Sequence, residues 1–183
     1  MKTSRLTTAT LPRLLPVLLL TMAVAIAGCG GDGSGGPDDL PCGEDPTPPG
    51  AEACPDACTG GCEDGVCTIR CEGFAACDAR TLACPADHAC RLVCDGGDAC
   101  DSSTVACAPG YACEVLCVDG VDTCGDVIVE CGQASTCTME CADAPEVCVG
   151  ALLQCGAGAC TAECAGGSSP TVECGESCSC TEC

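Results

Sequence analysis

The chain has 183 residues, 27 of them Cys and 24 Gly, with one Phe, one Tyr, one His and no Trp. Cysteine at that density marks a disulfide scaffold. So few rings exclude an ordinary core, because aromatic side chains bury the most area per residue. From Cys29 onward three Arg (Arg70, Arg80, Arg91) face 27 Asp and Glu, a net −24, which excludes nucleic acid and anionic lipid surfaces as partners of this region.

Met1 to Arg13 carries Lys2, Arg5 and Arg13 and no acid, and Leu14 to Ala27 is apolar. Fourteen apolar residues are too few to span a bilayer and have the build of a signal-peptide core. The stretch ends Ile26-Ala27-Gly28-Cys29, which resembles the lipobox of bacterial lipoproteins. That resemblance implies a signal peptide over 1–28, acylation of Cys29, and cleavage before it. It further implies a lipid-anchored place in the cell envelope. Gly30 after the cysteine is similar to the outer-membrane or surface sorting pattern of Gram-negative bacteria. The competing reading is an ordinary cleavage site at Ala25-Ile26-Ala27, with Cys29 another thiol. Parity separates the two: lipidated Cys29 leaves 26 cysteines, which can all pair, whereas plain secretion leaves an odd one. Several acyl chains at ~0.8 kcal/mol per buried CH₂ hold stably where one does not. The segment 29–53, rich in Gly, Pro, Ser and Asp with Cys42 inside it, reads as a disordered tether.

Cys54, Cys58 and Cys62 in the following segment, 54–66, are expected to cap a repeat that fills 67–174. Units begin at Cys67, Cys90, Cys113, Cys137 and Cys160, and the first four carry cysteines as C-x3-C-x5/6-C-x6-C. A period near 23 indicates stacked units. Two segments per unit alternate with period two. In the first, Ile69, Leu92, Val115, Met139 and Ala162 lie between two cysteines. The second covers Thr81–Cys84, Thr104–Cys107, Ile128–Cys131 and Thr171–Cys174. Two short strands and two turns per unit predict an all-β fold: a short, disulfide-rich parallel β-helix of about five coils, right-handed by the general rule for parallel crossovers. The competing reading is a string of small disulfide knots. Cys178, Cys180 and Cys183 in 175–183 are expected to close the far end. The repeat is similar to cysteine-rich repeat domains in surface and secreted proteins of bacteria and protists, a resemblance that implies architecture and no activity.

Cysteines at i and i+4 of one strand are ~13 Å apart and cannot bond. Pairing across turns gives Cys71–Cys77, Cys84–Cys90, Cys94–Cys100, Cys107–Cys113, Cys117–Cys124, Cys131–Cys137, Cys141–Cys148 and Cys155–Cys160, with Cys62–Cys67 and Cys164–Cys174 extending it. Rungs between successive coils are the competing arrangement. Thiolate clusters for metal use C-x-C and C-x-x-C, each of which occurs once here, at Cys178–Cys180 and Cys180–Cys183. Export also favours oxidation. No metal site and no cofactor is therefore expected.

Asp95, Asp98, Asp101, Asp119 and Asp122 match neither the EF-hand loop nor the calcium-binding nonapeptide and read as solvated turns. His88 has no Ser or unpaired Cys to activate and is expected on an exposed turn. The expected role is a non-catalytic, lipid-anchored surface protein with a structural or adhesive function and a surface or matrix partner. The alternatives are a cation-binding protein and a glycan-binding or glycan-cleaving β-helix.

Overall fold

The computed structural model describes residues 42–43, 45–49, 53–166 and 168–183, all within one compact unit, Gly35–Cys183. The predicted signal peptide, Cys29 and most of the predicted tether lie outside the described residues. The described residues form a β-solenoid with no helix.

The first sheet collects one strand from each coil. β1 (Gly61–Glu63) pairs antiparallel with β2 (Val66–Glu72). Parallel to β2 then follow β4 (Ala89–Asp95), β6 (Cys113–Cys117), β8 (Thr136–Cys141), β10 (Ala159–Cys164) and β12 (Ser179–Thr181). The second sheet is all parallel: β3 (Thr81–Ala83), β5 (Thr104–Ala106), β7 (Ile128–Glu130), β9 (Leu152–Gln154) and β11 (Thr171–Glu173). Leu152–Gln154 is the one strand of this sheet that the sequence pattern did not single out.

The alternation puts like upon like. Ile69, Leu92, Val115, Met139 and Ala162 are register partners and all are buried; Leu82, Val105, Val129, Leu153 and Val172 stack the same way across the core. Period-two side chains on a pleated strand point to opposite faces, so one apolar residue between two cysteines turns all three inward.

The segment between the strands is not a simple turn. It is a third side in which alternate residues adopt the left-handed conformation: Ala75, Cys77 and Ala79; Asp98, Cys100 and Ser102; Asp122, Cys124 and Asp126; Glu146, Cys148 and Gly150. Backbone bonds tie it from coil to coil, as in Ala75 N to Gly97 O (2.9 Å), Ala79 N to Asp101 O (2.8 Å) and Cys100 N to Ala76 O (2.9 Å). It buries Ala99, Thr123 and Val147 in one column and Ser103, Val127 and Ala151 in another. The hydroxyl of Ser103 donates to Cys100 O at 2.7 Å. A left-handed non-glycine residue costs about 1 kcal/mol, which these bonds and the disulfides offset. Ala79 is exposed, with φ 49°, where the fourth coil has Gly150 at φ 74°. Ala79→Gly should therefore raise stability by about 0.5–1 kcal/mol in denaturant unfolding.

All 26 cysteines downstream of Cys29 are bonded, in thirteen pairs. Eight are the turn-spanning pairs named above, from Cys71–Cys77 to Cys155–Cys160. They stand in two columns, one at each end of the first sheet's strands. The end pairs differ from expectation. Cys62 bonds Cys54 and Cys67 bonds Cys58 in place of Cys62–Cys67. Cys58 takes the place that the preceding coil's cysteine occupies in every later rung. Cys164–Cys174 is not formed either: Cys174–Cys180 repeats the six-residue rung of Cys84–Cys90, and Cys164, whose coil lacks its turn cysteine, bonds Cys183. The segment expected only to close the far end thus continues the sheet through β12.

Cys42, assigned to the tether, bonds Cys178 across 136 residues. The side chain of Asp45 accepts a hydrogen bond from the Thr136 hydroxyl, and Pro48 lies against Gly65. Gly65, His88, Tyr111, Ser135, Gly158 and Cys178 occupy one corner position in successive coils by register with the following cysteines. Residues 42–43 and 45–49 therefore form a strap laid along that corner, from the last coil back to the first. Six extended residues reach ~20 Å, close to the ~24 Å of five coil spacings. His88 stands in this column, and it is buried at 2% exposure, not on an exposed turn.

Candidate functional site

Three surface features carry chemistry: the outward face of the first sheet, the acidic third side, and the stacked rungs. On the outward face the register makes two columns, Thr68–Arg91–Glu114–Thr138–Thr161 and Arg70–Val93–Leu116–Glu140–Glu163. Charge runs from positive on the first two coils to negative on the last two. Arg91 pairs with Glu114 one coil on, a half-exposed bridge worth under about 1 kcal/mol. Glu140 has Glu163 as its register neighbour and its carboxyl is held above the ordinary range, first by desolvation, then by Glu114 and Glu163, with Arg91 opposing. A shallow depression beside it is lined by Leu116, Val118, Glu140, Ala142, Glu163 and Ala165. A second lies over Thr68, Arg70, Arg91 and Val93.

On the third side, Asp98, Asp122 and Glu146 occupy one left-handed position in successive coils. A Cβ placed on Gly125 would lie 2.5 Å from Oδ1 of Asp122 and 2.7 Å from Oδ1 of Asp101, so the glycine makes room for two converging carboxylates. Asp122 is raised above its ordinary value by desolvation first, then by Asp101, Glu146, Asp98 and Asp126. A carboxyl raised in the folded state stabilises it below the unfolded pKa, and that contribution is lost as pH rises through the folded value. Asp122→Asn should therefore raise Tm at pH 7 and leave it unchanged at pH 3. Equal Tm values at both would remove the repulsion argument. Phe74, 82% exposed, lies over Gly97 at the same corner, with Val121 beside it.

The rungs bring cysteines into close groups: Cys54, Cys58 and Cys62; Cys84, Cys90 and Cys113; Cys107, Cys113 and Cys137, each with sulfurs within 4.8 Å of one another. Every one of these sulfurs is already in a disulfide, so the grouping follows from stacking and presents no thiolate. Sequence reasoning found the cysteines and the acids but not Cys42 as a partner, nor the outward columns. Val93 and Leu116, apolar at an otherwise polar outward position, were the available signal for the latter. Comparison with protein-family models, with curated proteins and with solved structures finds no match to this chain.

Proposed function

We propose that this chain is a non-catalytic, lipid-anchored protein of the cell envelope, in the outer membrane or on the surface of a Gram-negative bacterium, with a structural or adhesive role. The observation that supports the reading is cysteine use. Thirteen disulfides consume every cysteine after Cys29, which leaves Cys29 for acylation. A cystine-laced body suits an oxidising compartment, and its in-register polar columns offer a flat, repetitive surface to a partner.

The test is the intact mass of the membrane-extracted protein, alkylated under denaturing conditions with and without reduction. Cleavage before Cys29 with added acyl chains, and 26 alkylations that appear only after reduction, is the expected result. An unacylated N-terminus would remove the anchor; many free thiols before reduction would remove the cystine scaffold.

A further inference from the structure

We infer that the rungs at the start of the first sheet's strands form a disulfide-exchange site, in which one two-electron reduction by a dithiol moves the bond from across the turns to between adjacent strands and frees Cys84 and Cys107. The Cys113 sulfur lies within 4.8 Å of both sulfurs of the Cys84–Cys90 rung, and Cys137 is equally close to both sulfurs of Cys107–Cys113. Among the described residues, no such group includes a sulfur of the opposite column, Cys71–Cys77 to Cys141–Cys148. Proximity to a neighbouring rung is thus a property of one column.

The chemistry balances. A dithiol opens Cys107–Cys113: its two thiols close into a disulfide, and two electrons and two protons pass to the Cys107 and Cys113 sulfurs. The Cys113 thiolate then attacks the Cys90 sulfur. A Cys90–Cys113 bond forms, Cys84–Cys90 breaks, and the Cys84 sulfur leaves with the electron pair and takes up the proton Cys113 gave up. Entry at the other rung reaches the same product, because a freed Cys90 attacks Cys113 and expels Cys107.

Two features favour that product. Cys90 and Cys113 are register partners on adjacent parallel strands, whose spacing of ~4.8 Å falls inside the Cα separation a disulfide accepts. Cys90 and Cys113 are buried at 3% and 2% exposure, whereas Cys84 and Cys107 are partly exposed. The exchange therefore moves the one buried free thiolate, Cys113 or Cys90, to a solvated position at Cys84 or Cys107. The result is a pair of surface thiols one coil apart, able to form mixed disulfides with a partner thiol.

The experiment treats the fully oxidised protein with limiting dithiothreitol, quenches with N-ethylmaleimide, and maps the chains that carry two labels by peptide mass spectrometry. The expected species has its labels on Cys84 and Cys107, together with a Cys90–Cys113 cross-linked peptide. Labels on both members of one rung, Cys84 with Cys90 or Cys107 with Cys113, overturn the inference. So does labelling confined to other cysteines until the chain unfolds. A Cys84→Ser variant reads the same step without reductant: its odd thiol should be found on Cys107, and finding it on Cys90 overturns the proposal.

Discussion

Replacing Cys42 and Cys178 together by Ser should lower the unfolding free energy by about 4–5 kcal/mol, the largest loss from any single disulfide. The pair closes 136 residues, and the stabilisation from constraining the unfolded chain grows with the logarithm of the loop. A rung such as Cys107–Cys113 closes six and is worth about 2 kcal/mol in the same picture. The other twelve bonds shorten the effective loop, but a logarithm is forgiving of that. Guanidinium unfolding of the oxidised double variant measures the loss. Amide exchange should report faster opening at Gly65 and Thr136, where the strap is seated, with protection at the core residues Leu92 and Val115 falling by no more than the global loss. A loss of no more than a single rung's would mean that the strap does not restrain the body.

The second large effect is expected at Gly120. Its φ is 112°, and an added Cβ would lie 2.4 Å from Gly96 C and 2.5 Å from Gly97 N. Those atoms are backbone of the preceding coil, so nothing flexible can move aside, and the coils must separate at a corner held by Gly120 N, Thr123 and Asp119. Gly120→Ala should cost about 4 kcal/mol or more, in the range that marks a diagnostic lesion. Gly110→Ala is the control. Its φ is 83° but nothing lies within 4 Å of the added carbon, so only the backbone penalty of about 1–2 kcal/mol applies. Similar losses for the two would show that coil contact at Gly120 is looser than the structure has it.

Cysteine spacing made the coil legible because each rung fixes a phase, and the apolar residue between paired cysteines then has one face available. That reasoning carried the two sheets and the eight internal rungs. It failed where the signal is backbone rather than side chain. Ala75, Cys77 and Ala79 have nothing in their hydropathy to announce left-handed φ, so the third side read as turn and the burial of Val127 and Val147 went unseen. Nearest-neighbour pairing failed at both ends because the repeat itself fails there: β1 reverses direction, and the fifth coil lacks a cysteine. The strap was illegible for a further reason. Nothing local to Cys42 distinguishes a partner 136 residues away, and the burial of His88 in the corner column was lost with it.

The strap also determines how the molecule would bear load. Cys42 is tied to the last coil, beside the C-terminal strand, and not to the first. Tension applied between Cys42 and a partner gripping the C-terminal coil would run through a single covalent S–S link. The intervening coils would stay slack, like the bow of a closed padlock, and their parallel ladders would never be sheared. Cutting that one bond would reroute the force through the cap and every coil in series, so a single-molecule pull should show a chain that lengthens stepwise only after its clasp is reduced.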